Sequence, residues 1–148
     1  PCFYYACSAW YPSLTHNLKN RLQAIQIKCI KFCLKIGSRT RVQPKDFKDI
    51  NWLNTHDRFN QVLASNIFKF FKAQGPGYMN EIYSRADQGN ISTRNSYQKL
   101  KIPKRKTTMG LKTLSFIGPS FWNKLPSILK HTQTLNNFKH KIKEYFFN

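Results

Sequence analysis

Between Thr15 and Ile36 the chain places apolar residues at Leu18, Leu22, Ile25, Cys29, Phe32 and Ile36. Alternating steps of four and three put all six on one side of a 3.6-residue helix, so the spacing predicts an amphipathic helix over 15–36. Thr15 is placed to cap its start, and Gly37 stands where a left-handed residue commonly ends a helix. Lys28, Lys31 and Lys35 fall off the stripe, with Lys35 in the last turn complementing the helix dipole. Upstream, Cys2 to Trp10 reads as the end of another helix, stopped by Tyr11-Pro12-Ser13.

A second strong period follows a basic loop that carries Arg39 and Arg41 and a short helix over 44–50 packing Phe47 and Ile50. Trp52 and Leu53 lead into a helix starting near Asn54 or Thr55 and running to about Gln74, with Phe59, Val62, Leu63, Asn66, Ile67, Phe70 and Phe71 on one wide face. Gly75-Pro76-Gly77 is expected to end it, with a helical turn after it around 78–83. The pattern then changes. Leu100 and Ile102, then Leu114 and Phe116, alternate as in short extended segments, although Pro103 argues against a central strand. Helix returns in the stretch GPSFWNKLPSILK, where Pro119 is expected to open a peg ending near Leu125 and Pro126 to open another turn. Phe121, Trp122 and Leu125 share one side of that peg, which is too short to stand alone and must be docked. A last helix over 134–147 aligns Leu135, Phe138, Ile142, Tyr145 and Phe146, with Lys139, Lys141 and Lys143 directed elsewhere. The expected fold is mainly α, a small helical bundle with a short irregular or β-like basic segment. Residues 1–86 form its helical part, 87–148 the basic extended segment plus C-terminal helices, and the two make one structural unit.

Charge sharpens this picture. The 25 Lys and Arg outnumber 6 Asp and Glu, for a net charge of +19. From Gln88 to Lys143 there are twelve basic residues and no acidic one. Such one-sidedness points to a polyanionic partner, most often nucleic acid. Asp46 and Asp49 are expected in solvent, and no carboxylates cluster as two-metal phosphoryl transfer requires. Phosphate-cradling glycine loops and the nucleophile elbow are also absent, so no catalytic residue is expected. Cys2, Cys7, Cys29 and Cys33 lack paired zinc spacing with one another or with the histidines, and are expected to be buried free thiols rather than metal ligands. No apolar run approaches the ~18 residues of a membrane span. The chain begins with Pro1 and core-like residues, which suggests a piece of a longer protein rather than a leader.

The order of the motifs carries a resemblance. Tyr5 and Trp10; Leu22 and Gln26; Trp52 and Leu53; Gly110, Leu114, Pro119, Trp122, Asn123, Leu125 and Pro126; and Phe138, Lys139, Ile142, Lys143 and Phe146 follow one another over nearly the whole chain. This series resembles the C-terminal thumb and post-thumb region of non-LTR (LINE-type) retrotransposon reverse transcriptases of the jockey kind. The resemblance implies a noncatalytic fragment of an RNA-directed DNA polymerase that grips template RNA and nascent DNA. Its partners would be RNA, RNA–DNA hybrid and the fingers and palm of the same polypeptide, with no membrane and no small-molecule substrate. The family's catalytic Y-x-D-D carboxylates lie in the palm and have no counterpart here. No cofactor is therefore expected in this chain, and Mg²⁺ only in that palm. An intracellular place in a nuclear or cytoplasmic ribonucleoprotein follows, to which the basic cluster KIPKRK, at Lys101 to Lys106, could also contribute as a nuclear-import signal.

The expected backbone contacts are the basic positions off the apolar stripes: Lys28, Lys31, Lys35, Arg39, Arg41, Arg94, Lys99, Lys101, Lys104, Arg105, Lys106, Lys112, Lys139 and Lys143. Trp10, Trp52, Pro119, Trp122, Pro126 and Phe138 are expected to be structural, with the Trp122 peg stapling the basic segment onto the helices. Two other readings stay open: a self-standing basic nucleic-acid-binding module derived from a retroelement, and a membrane-active cationic protein.

Overall fold

The computed structural model describes residues 4–86 and 98–147. Cys2 and Arg94 lie outside the described residues. Helix α1 (Cys7–Trp10) runs into a 3₁₀ turn at Tyr11–Ser13, followed by α2 (His16–Cys33), α3 (Pro44–Asp49), α4 (Thr55–Phe71) and α5 (Met79–Ile82). Beyond the basic segment come α6 (Thr108–Leu111), α7 (Leu114–Lys124), α8 (Ser127–Lys130) and α9 (Leu135–Phe147). Among the described residues there is no strand, only an isolated antiparallel bridge between Arg85 and Leu100. The fold is mainly α.

Helix α4 is the axis, packing against α1, α2, α7 and α9. Its apolar residues Phe59, Leu63, Ala64, Ile67 and Phe68 are buried in a cluster that also takes Trp122 and Leu125, Leu129, and Phe138 and Ile142 from α9. Residues from both sides of the basic segment therefore close one core. Flat rings fill its centre: Phe68 stacks on Phe138 at 4.5 Å between centroids, and Phe71 on Trp122 at 5.3 Å. Offset stacking of this kind is favourable beyond the area it buries. Trp10 is half-buried against the cluster. Trp52 is 39% exposed, and the exposed Pro126 stands at the N-cap of α8, the turn its sequence position suggests it opens.

The peg differs from its expected form. Pro119 does not open a helix but lies inside α7, which begins five residues earlier at Leu114. Leu114 and Phe116 are therefore helical, and Leu114, Ile117 and Phe121 pack on the core at helical spacing. An interior proline costs about 3 kcal/mol through a lost hydrogen bond and a clash with the preceding turn. Two features offset it. Gly118 has no Cβ to crowd the proline ring, and Pro119 and Trp122 are both buried. Gly118 also makes room for Tyr83: a Cβ there would lie 2.7 Å from Tyr83 Cε1 and 3.0 Å from its Oη. Burial, with Tyr78 nearby, pushes the Tyr83 phenol well above its ordinary pKa.

Helix ends also depart from expectation. Thr15 caps α2 as its position suggests, its Oγ1 accepting from Leu18 N. The left-handed residue at the other end is Lys35, φ 52°, not Gly37. Lys35 N donates to Phe32 O and Ile36 N to Lys31 O, the paired bonds that close a helix around a left-handed residue. Asn51 (φ 56°) and Ala73 (φ 54°) close α3 and α4 in the same way, so Gly75-Pro76-Gly77 lies beyond the end of α4 rather than at it. Each left-handed non-glycine residue costs ~1–2 kcal/mol.

Two substitutions should therefore move stability in opposite directions. Ala73→Gly should raise it by about 0.5–1 kcal/mol, strain relief outweighing the added freedom of the unfolded chain. Gly118→Ala should lower it by about 1–3 kcal/mol because Tyr83 must shift. Chemical denaturation of the two variants checks both signs.

Candidate nucleic-acid interface

The described carboxylates do not neutralise the basic surface. Asp46 is buried, against the expectation of an exposed acid, because its Oδ2 accepts from Gln43 N at 2.6 Å and holds the start of α3. Asp57 sits at the start of α4, its Oδ2 accepting from Asn54 Nδ2 at 2.6 Å, while burial raises its pKa. The single ion pair among the described residues joins His140 Nδ1 to Glu144 Oε1 at 3.4 Å, both exposed. No described Lys or Arg is paired with a carboxylate.

Three basic groups result. The first is the segment 99–106. Lys99 and Lys101 are exposed, with Lys101 N donating to Ser84 O and Lys99 O accepting from Ala86 N. Lys104, Arg105 and Lys106 are also exposed, and Arg105 donates from Nη2 to Ser115 Oγ at 3.1 Å. Lys112 is half-buried just past α6. The second group is the end of α2 and its loop, where Lys28, Lys35, Arg39 and Arg41 are exposed and Lys31 Nζ donates to Ser38 O. The third is on α9. Lys139 is exposed, whereas Lys143 is half-buried and lies over the Phe147 ring. Burial, followed by the nearby Arg58 guanidinium, holds Lys143 below the ordinary lysine range.

The first group is fixed to the core by two adjacent side chains of α7. Trp122 Nε1 donates to Gln98 O at 2.8 Å. Asn123 reads both backbone groups of Leu100, its Oδ1 accepting from Leu100 N at 3.0 Å and its Nδ2 donating to Leu100 O at 2.9 Å. Leu100 itself is buried. The basic segment leaves this clamp directly as irregular backbone, with Lys101, Lys104, Arg105 and Lys106 exposed.

Arg58, Arg85 and Lys130 join these surfaces although sequence spacing did not single them out. Lys130 lies over the Trp122 ring and near Lys99, and burial followed by that like charge lowers its pKa. Arg85 lies over Phe71. Their positions depend on pairings distant in sequence, such as Arg58 with Lys143, for which a local pattern carries no signal.

The thiols also differ from expectation. Cys7 is buried, but Cys29 and Cys33 are exposed, because α2 turns a different side to the core. Among the described residues no three His, Cys, Asp or Glu groups converge as metal ligands, and no helix is long and apolar enough to cross a membrane. No family model matches the chain, and neither a curated protein nor a solved structure does.

The clamp gives a local test. Asn123→Ala leaves Leu100 N and O without their partner and should cost about 1–3 kcal/mol. Trypsin should then cut at Lys99 to Lys106 several-fold faster than in the parent, before general digestion. Unchanged cleavage there would show that the clamp does not hold the segment.

Proposed function

We propose that this chain is the noncatalytic C-terminal part of a non-LTR retrotransposon RNA-directed DNA polymerase, and that it grips the backbone of template RNA and nascent DNA through its basic surface. The carrying observation is the lack of any carboxylate paired with a described Lys or Arg in a chain of net charge +19. Cations held without a carboxylate partner have no ion pair to break when they meet phosphates, and they gain the entropy of released counterions. The segment 99–106 is the centre of this surface: its charges are exposed, and its start is anchored by Trp122 and Asn123.

The motif order supports the family part of the reading. Gln26 of the L-x-x-x-Q element donates to the carbonyl of Leu53 in the W-L element at 2.7 Å, so two of its stretches meet. In this reading the fingers and palm of the same polypeptide supply the carboxylates and Mg²⁺ for chemistry, and the protein works in a nuclear or cytoplasmic ribonucleoprotein. A self-standing nucleic-acid-binding module is the second reading. It is favoured by the core that α4, α7 and α9 close among themselves.

Anisotropy of a labelled RNA–DNA hybrid, titrated at several salt concentrations, tests the shared claim. Four phosphate contacts from Lys101, Lys104, Arg105 and Lys106 should give a slope of log affinity on log salt of about −3 to −4. Changing those four residues to Gln should remove that contribution and leave only the shallower slope of the other basic groups, without moving the melting temperature. A flat slope in the parent chain would end both nucleic-acid readings, and a steep slope surviving the four changes would move the contact off this segment. A cooperative melt of the isolated chain would favour the self-standing module.

A further inference from the structure

Helix α2 docks on the body through its less apolar side. Gln26 and Ile30 are its buried residues, and Gln23 Oε1 accepts from Thr55 N at 3.0 Å and from Thr55 Oγ1 at 2.8 Å. Leu22 packs on the core and Ile36 is half-buried, but four of the six residues of the apolar stripe are turned outward instead: Leu18 is 40% exposed, Ile25 42% and Phe32 87%, with Cys29 exposed among them. Their steps of seven, four and three residues are those of a helix–helix seam, in which each side chain inserts between side chains of a facing helix. Beside the seam a cleft of about 610 Å³ opens towards the start of α4, with Leu22, Trp52 and Leu53 in its walls.

Charge selects the occupant. Arg21 and Lys28, both exposed, lie between successive stripe residues on the side away from the body. Arg58 and Lys143 line the cleft on the other side, and none of the described residues lining it is a carboxylate. The seam is thus apolar along its middle and positive on both flanks. A second copy of this chain would set Arg21 and Lys28 against their own equivalents, within a pair each carrying +19. Nucleic acid would have to place phosphates across Leu18, Ile25 and Phe32 to reach both flanks, desolvating charge against apolar surface.

We infer that the outward seam of α2, with the adjoining cleft, docks an acidic amphipathic helix of a partner protein. Leucine-type residues of that helix would fill the spaces between Leu18, Ile25 and Phe32, and its flanking Glu or Asp residues would face Arg21 and Lys28 outside and Arg58 and Lys143 inside. This surface is separate from the basic segment 99–106 and does not require the chain to be part of a polymerase.

The test uses the whole chain and a synthetic helix of about three heptads, with Leu at the seam positions and Glu on the flanks. A shuffled peptide of identical composition controls for attraction to a cationic protein. Anisotropy should show the helical probe binding at least about tenfold more tightly than the shuffled one, the worth of roughly one buried apolar side chain. Alkylation of Cys29, followed by mass spectrometry, should slow several-fold with the helical probe alone. Phe32→Ser, at a position that supports no core contact, should remove both differences while leaving the melting temperature unchanged. Equal binding of the two peptides would overturn the inference. So would equal protection of Cys29 by an oligoribonucleotide, or a dimer of the free chain in sedimentation that Phe32→Ser dissolves.

Discussion

Trp122 ties the two halves of the chain together, and most of the architecture depends on how it is held. Its ring fills the space between Phe71 of α4 and Phe138 of α9, and its indole nitrogen donates to the Gln98 carbonyl. A large apolar body and one polar handle are what a residue needs to lie in a core and still hold an irregular segment. The α7 helix that carries it accepts an interior proline. That proline is tolerated because its ring is buried and because the preceding glycine leaves space for it and for Tyr83. Without the Trp122 anchor, α7 would retain its helical defect and lose what offsets it. The segment at 98–106 would lose the bond at Gln98 and keep those that Asn123 makes with Leu100.

The junction of α2 with the body follows a different logic. Amides orient it beside the buried Ile30 and the half-buried Leu22: Gln23 accepts from Thr55, and Gln26 donates to the Leu53 carbonyl. Glutamines that satisfy backbone groups fix a helix by geometry more than by area, because each such bond contributes only about 0.5–1.5 kcal/mol net. The arrangement frees the more apolar side of α2. Most of a stripe that a self-contained domain would bury is left facing outward, beside a cleft with cationic walls.

This division decides what could be seen in the sequence. The positions of α2, α4 and α9 were legible because each has an apolar period and polar capping residues that act within one turn, as with Thr15 and Asn54. The aromatic pair Phe138 and Trp122 was legible as structural for the same reason. Which side of α2 faces the core was not legible. Period identifies an apolar side but not its partner, and here Gln26 won the buried place over Phe32. The start of α7 was hidden by Pro119, whose local preference as a first residue was overridden by burial of the helix around it. At the helix ends, Lys35 and Ala73 took the left-handed positions that Gly37 and Gly75 seemed to claim, since the closing bonds depend on where the last turn stops and not on which residue suits it best. The individual cations of the candidate interface were visible as charges. Their grouping was not, because Arg58 meets Lys143, and Lys99 meets Lys130, only through the tertiary fold.

The charge itself needs an explanation that a salt-bridge count does not provide. Asp46 and Asp57 are committed to helix starts, and Glu144 pairs with a histidine. In place of carboxylates, aromatic faces receive the cations. Lys19, Arg58, Lys72, Arg85, Lys130 and Lys143 each lie over a ring, at 5.0–5.8 Å from its centroid. Such contacts stabilise by about 0.5–1 kcal/mol at exposed sites and order a long side chain. Unlike an ion pair, they leave its full charge directed at the surroundings. A carboxylate in the same place would have to be displaced before a phosphate or an acidic side chain could bind, whereas a ring face need not move. The molecule thus holds these six cations in place without neutralising them, which is the condition a surface must meet if it is to meet an external polyanion already organised.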